Sequence, residues 1–320
     1  MRKIILSAAL VVLSVLSASA QQDCTIPMDI IVADGVADVT GVAAATQLES
    51  KVRQVVTKHG MGGNMKHSQF CVIANLVEGN RNILSGTRPL VTVSADVELY
   101  VANTVTGEKF ASTAITITGA GPNENRAYMA ALGTVNANNA ELAAFMKSAK
   151  QKIIRYYETE TGNIIRKAKS HAARQEYEPA LYMLTSVPAC SSRYEEVEQA
   201  TLTIFQQYVD LDCAGKVAKA RAAWAGSQDR EGARVAGAYL SAINPASSCT
   251  DDAQALVDEI KQRIGEEWEQ AKDLLEFNKE MQRSQVDLER QRIEAAREIG
   301  VAWAENMPSN FNPTVVINKK

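Results

Sequence analysis

The feature that most constrains the fold is a long β-hairpin between residues 90 and 121. Apolar residues occupy every second position of its first half, which predicts a strand with one buried face. Thr106-Gly107-Glu108 supplies the turn, because glycine adopts a positive φ without steric cost. The return half, residues 110–118, is rich in threonine and isoleucine, which favour strands. The apolar positions of the first strand are Val91, Val93, Ala95, Val97, Leu99 and Val101.

The hairpin belongs to an N-terminal α/β module that we place at residues 21–160. Strands are predicted at residues 25–33 and 68–77, with an amphipathic helix at residues 40–59 between them. The polar segment 78–82 is predicted as a loop, and a helix that follows the hairpin is interrupted at residues 133–139. The order β-α-β-β-β-α, followed by helices alone, predicts an α+β fold.

Small residues around the hairpin carry a resemblance. The Thr-Gly-Glu turn, Ser112 in the return strand, the Gly119-Ala-Gly121 segment and an alanine-rich helix start follow one another. This arrangement is similar to the envelope modules of the curli-secretion protein CsgG, the flagellar-ring protein FlgT and the N-terminal domain of TolB. The resemblance implies a role in assembly and binding at the periplasm or outer membrane rather than in catalysis.

The first 20 residues have the three parts of a secretory signal peptide. A basic pair precedes an apolar core at residues 4–16, and Ala18-Ser19-Ala20 forms a cleavage site. The core is shorter than the ~20 apolar residues of a membrane helix. Lipidation at Cys24 is the alternative, but glutamine and aspartate precede this cysteine where small residues are required. The signal resembles those of Gram-negative envelope proteins, so we expect an exported protein of the periplasm or outer membrane that is not a lipoprotein.

Residues 161–265 are predicted to form helical hairpins. The segments 167–192 and 219–249 share small residues, a polar turn, apolar positions at helical spacing and a closing proline, Pro188 or Pro245. They repeat after about 57 residues, which suggests stacked helix pairs. The hairpins resemble tetratricopeptide-type repeats, and an ordinary helical bundle is the alternative.

Residues 266–307 are predicted as a long charged helix, because acidic residues are repeatedly followed three positions later by basic ones. Its apolar stripe is thin, so the helix either projects from the body or forms a weak coiled-coil seam. Trp303 is a candidate contact with a partner or a membrane surface. The tail, residues 308–320, either adds a strand through its TVVI run or is flexible. The stripe consists of Leu274, Met281, Leu288, Ala295 and Ala302.

Export makes the five cysteines candidates for disulfide bonds. Cys190 and Cys213 flank a predicted helix about 30 Å long and are therefore too far apart to pair. Cys213 and Cys249 bracket a helical hairpin, and Cys24 and Cys71 share the N-terminal module. We predict bonds Cys24–Cys71 and Cys213–Cys249 with Cys190 free; the alternative is five reduced cysteines.

The composition and the motifs favour binding over catalysis. A net charge of -3 argues against nucleic acid, which needs a concentrated basic surface. His59, His67 and His171 are too scattered to predict a metal centre or a serine–histidine dyad. The sequence has no G-x-S-x-G, S-x-x-K, H-E-x-x-H or P-loop motif. We predict no catalytic residue, no metal and no cofactor.

The function expected from the sequence is a non-enzymatic interaction or assembly protein of a Gram-negative envelope, with protein partners and peripheral membrane association as an option. Two alternatives remain open. One is an envelope hydrolase whose site forms only in three dimensions, and the other is a structural oligomer assembled through the C-terminal helix.

Overall fold

The computed structural model of the chain describes residues 25–62, 68–85, 90–265, 285–307 and 311–318. The predicted signal peptide, Cys24, His67 and residues 266–284 of the predicted long helix lie outside the described residues. The fold is α+β, as predicted, with a four-stranded sheet followed by helices.

The sheet has the strand order β1-β2-β3-β4. β1 (Met28–Val32) runs parallel to β2 (Phe70–Leu84), whereas β2, β3 (Leu90–Asn103) and β4 (Lys109–Gly121) are antiparallel neighbours. The predicted hairpin is β3–β4, and its turn contains Gly107 at φ +65°. The Asn103 side chain accepts the backbone N–H groups of Val105 and Thr106 at 2.8 and 3.0 Å, which fixes the turn.

β2 is longer than predicted, because the polar segment 78–82 belongs to the strand instead of a loop. Its pairing with β3 shifts register between Glu78 and Arg81, so the segment is accommodated by a bulge. The strand continues to Leu84 with exposed residues, and the end of the β2–β3 pair extends beyond β1.

Two described helices lie between β1 and β2, and two more come directly after β4. α1 (Asp34–Thr40) was not predicted, whereas α2 (Val42–Lys58) matches the predicted amphipathic helix. α3 (Glu124–Gly133) is capped by Asn123, whose side chain accepts the backbone N–H of Arg126 at 3.0 Å. α4 (Ala140–Ala173) starts after the predicted interruption.

Gly119 and Gly121 let α3 lie directly on β4. A Cβ atom at Gly119 would collide with the backbone of Ala127 and Ala131, and one at Gly121 would lie 2.6 Å from Ala127 N. The role of these two glycines is therefore close packing of helix on strand.

The predicted domain boundary at residues 160/161 falls inside α4, and the main hydrophobic core is continuous across it. Tyr157 of α4 is fully buried, and its hydroxyl donates to Gln69 Oε1 at 2.9 Å. Its ring packs edge-on against Phe70, which in turn contacts Phe110. α4 therefore joins the sheet to the helices that follow.

The helical part repeats a short helix followed by a longer one: α5 (Tyr177–Thr185) with α6 (Tyr194–Gly226), then α7 (Arg230–Ser241) with α8 (Thr250–Ile264). Buried residues recur at a constant interval between the two units. The second half of α6, α7 and α8 form a separate small core, which we call the distal lobe. The matched buried pairs include Ala180 and Ala236, Leu184 and Leu240, Val197 and Ala253, and Ile204 and Ile260.

The described C-terminal elements pack on the body. α9 (Gln285–Glu305) lies on α5 and on the first half of α6, with Ala296 fully buried and Gly300 against Tyr182. This part of the predicted long helix does not project, because the small residues Ala296 and Gly300 allow it to pack closely against the body. The tail, predicted as a strand or as flexible, contains α10 (Pro313–Asn318). Val316 of α10 is buried against the sheet face opposite the main core, which we call the outer face.

Candidate interaction surfaces

The free edge of β4 is the most unusual surface of the sheet. β3 pairs with one side of β4, and within the described ranges no backbone hydrogen bond joins the other side to another element. From residue 111 to residue 121 the pairing with β3 keeps one register, and this stretch carries neither a charge nor a proline; Lys109, at the start of β4, lies outside it. Natural sheets usually protect an edge with lysine, proline or a bulge. We call residues 111–121 the open edge.

The side chains of the open edge differ between the two faces of the sheet. Those on the inner face include Ile115 and Ile117, which are buried in the main core. Those on the outer face are small and exposed, so backbone and short side chains dominate the surface. The outer-face residues are Ser112, Ala114, Thr116, Thr118 and Ala120.

The opposite side of the sheet is protected in two ways. β1 is short, and Met28 at its start forms a bridge with Gly62, which covers this end of the edge. Where β2 extends past β1, the edge carries the bulge between Glu78 and Arg81, and Arg81 forms a 2.8 Å ion pair with Glu124. Within the described ranges, the open edge of β4 has neither a bridge nor a bulge.

Side-chain contacts on the outer face hold β3 and β4 in place. Thr116 Oγ1 donates to Asp96 Oδ1 at 2.6 Å across the two strands. Tyr100 donates to Glu98 Oε2 at 2.8 Å, and Lys109 lies 4.8 Å from the Tyr100 ring centroid. Burial, with the hydrogen bond and charge of Glu98, raises the pKa of Tyr100 to about 12, so the phenol remains a donor at neutral pH. These contacts therefore hold the backbone of the open edge in one conformation.

A cavity of about 270 Å³ lies where the sheet meets α5, α6 and α9. Its wall includes Phe70 and Leu184, with the polar groups of Tyr194, Glu198 and Arg297. Burial raises the pKa of Tyr194, and Glu198 adds to this effect. Among the described lining residues there is one carboxylate and no histidine. The described lining therefore does not bring two carboxylates together, which is one of the two arrangements that the hydrolase alternative requires.

The predicted cysteine pairing is correct for one bond and wrong for the other. Cys213 and Cys249 form a disulfide bond with a Cα–Cα distance of 6.2 Å, which closes the distal lobe. Cys71 is a free, buried thiol, which contradicts the predicted Cys24–Cys71 bond. Cys190, predicted to be free, is disulfide-bonded. Cys24 lies outside the described residues.

The position of Cys71 explains why this pairing failed. It pairs in register with Asp29 of β1 and Ala102 of β3, in the middle of the sheet. Its side chain belongs to the outer-face cluster that Val316 covers. Burial, followed by the charge of Asp29, raises the pKa of the Cys71 thiol to about 12. The location of Cys24 and Cys71 in the same N-terminal module therefore did not predict whether they pair.

Trp303, the predicted contact residue, is half-buried within the molecule. Its ring centroid lies 5.7 Å from that of Tyr182 on α5. This intramolecular contact anchors α9 near its C-terminal end. The sequence predicted β4 as a strand but not as an edge, because its position at the edge depends on the strand order.

The described residues contain neither a metal-binding cluster nor a membrane-spanning helix. No group of three or more histidine, cysteine, aspartate or glutamate residues in this part of the chain is placed to hold a metal ion. No helix there has the length and apolar character needed to cross a bilayer. Comparisons of the chain with protein-family models, curated proteins and solved structures gave no match.

Proposed function

We propose that the protein is a non-enzymatic interaction or assembly protein of the bacterial envelope, and that it binds a protein partner through the open edge of β4. The observation that carries this proposal is the edge itself. Residues 111–121 carry no charge or proline, and the side of the strand that faces away from β3 has no backbone partner among the described residues.

An edge of this kind binds by strand addition. The backbone N–H and C=O groups that point away from β3 pair with those of an incoming extended strand, as in other proteins that bind by β-augmentation. The contacts of Thr116 with Asp96 and the burial of Ile115 and Ile117 hold the strand in its extended form before binding. Little ordering entropy is therefore lost on the side of this protein.

The helical units give the sheet a stiff attachment to the distal lobe. α6 is 33 residues long and contributes its first half to the main core and its second half to the core of the distal lobe. A helix of that length spans roughly 50 Å. A partner bound at the open edge and a contact made by the distal lobe would therefore be held at a defined separation.

The proposed location in the envelope agrees with the cysteine chemistry. Disulfide bonds persist in oxidising compartments, so the Cys213–Cys249 bond is consistent with an exported protein. The predicted signal peptide supports the same compartment.

Site-specific cross-linking in cells tests the proposal. A photoreactive amino acid replaces Thr118 on the open edge, and a matched control carries it at Thr203, an exposed residue of α6. Membrane and soluble fractions are analysed separately. We expect a discrete cross-linked protein species from position 118 that is lost when Ala114→Lys is added. Identical products from both positions, or no product from position 118 in either fraction, would overturn the proposal.

A further inference from the structure

We infer that the strand accepted by the open edge is the same strand of a second copy, so that two chains form a closed dimer with one continuous eight-stranded sheet. This inference rests on the proposed function and names the partner of the same edge.

The open edge is complementary to itself in antiparallel pairing. Thr116 is its middle residue, so a two-fold axis at Thr116 pairs the full length of residues 111–121 with the same residues of the other copy. Residues of the same face then meet: Ala114 faces Thr118 of the second copy on the outer side. On the inner side Ile115 lies opposite Ile117 of the second copy; both are already buried in the cores of their own chains, so the backbone and the outer face carry the contact.

Charge permits this pairing. Because the open edge carries no ionised side chain, no like charges come face to face when two copies meet. The outer-face acids Asp96 and Glu98 lie on β3, one strand away from the edge, and Asp96 is hydrogen-bonded to Thr116.

The outer surface of the edge favours an identical strand over a peptide of a particular sequence. Sequence-selective strand addition uses pockets for alternate side chains of the peptide. The outer-face residues of the open edge are small, from Ser112 to Ala120, and present a flat surface instead. A second flat strand with small side chains matches that surface.

The other edge of the sheet explains why the assembly would stop at two chains. A two-fold contact uses the β4 edge of both copies. The edge that remains on each copy consists of β1, which is bridged at Met28 by Gly62, and of the bulged end of β2. Growth of the sheet into a fibre would need this edge to open.

Sedimentation velocity of the full chain over a concentration series tests the inference. We expect the wild-type protein to be a dimer that dissociates on dilution. The double variant Ala114→Lys/Thr118→Lys places lysines opposite each other across the two-fold axis and should be monomeric. Because Ala114 and Thr118 are exposed in the single chain, the fold should be retained, which circular dichroism checks. The matched control, Thr203→Lys/Ala238→Lys on exposed helix positions, should remain a dimer.

A charge-pair variant tests the register. In Ala114→Lys/Thr118→Glu each lysine faces a glutamate of the second copy, so the dimer should return. A monomeric wild-type protein at every concentration, a dimeric double-lysine variant, or a charge-pair variant that stays monomeric would each overturn the inference. If the wild-type chain is monomeric but position 118 still cross-links to a different protein in cells, the proposed function stands and only the identity of the partner is wrong.

Discussion

Gly300 of α9 lies against the backbone of Tyr182 in α5, so closely that a Cβ atom at position 300 would be 2.6 Å from Tyr182 N. Backbone atoms do not move aside as the end of a flexible side chain does. This contact, together with the ring contact of Trp303 with Tyr182, fixes the C-terminal helix on the body.

Gly300→Ala should therefore destabilise the protein. Overpacking of this kind costs about 1–3 kcal/mol, which exceeds the ~0.5–1 kcal/mol gained when alanine replaces glycine within a helix. Urea unfolding measures the change. The matched control is Gly215→Ala in α6, where no atom other than the adjacent backbone of its own helix lies within 4 Å of the added Cβ and stability should rise. Equal effects of the two substitutions would contradict the packing described for α9.

Loss of the Cys213–Cys249 bond should loosen the distal lobe before the rest of the molecule. The bond closes a loop with a sequence separation of 36, for which the chain-entropy relation gives about 4 kcal/mol. In the double variant Cys213→Ser/Cys249→Ser, limited proteolysis should cut within α7 or α8, while the sheet stays intact. Chemical reduction is a poorer test because Cys190 is also disulfide-bonded. Unchanged protection of α7 and α8 would show that the bond is not needed there.

Cys71 should react with thiol reagents only after unfolding. Its pKa is raised from 9.0 to about 12 by burial and by Asp29, so the native thiol is protonated at neutral pH. A raised pKa in the folded state stabilises the fold below pH 9, and this contribution is lost as the pH rises towards 12. Cys71→Ala should weaken that alkaline loss of stability. Rapid labelling of the native protein at neutral pH would contradict the burial of Cys71 beneath α10.

Local sequence patterns predicted the elements whose signal lies within the element itself. The alternation from Val91 to Val101 identified β3, and the β-branched residues after Gly107 identified β4, because both signals are contained in the strands themselves. The repeat of helical units was also visible, since buried positions such as Leu184 and Leu240 recur at a constant interval.

Features that depend on contacts between residues far apart in the chain were not predicted, or were predicted wrongly. The TVVI run is β-branched and was expected to be extended or flexible, but Val316 becomes buried on the sheet when the run is helical. The pairing state of Cys71 depends on which element covers the outer face of the sheet. The open edge could not be located from sequence, because a strand is an edge only when the strand order is known.

Amide hydrogen exchange of β4, followed as a function of protein concentration, tests the central claim most directly. In dilute solution, amides of residues 111–121 that point away from β3 should exchange rapidly, and at high concentration they should become protected. Exchange in α7 should not depend on concentration. Rapid exchange of β4 at every concentration would contradict self-pairing of the edge, and full protection in the dilute monomer would show that the edge is already covered by its own chain.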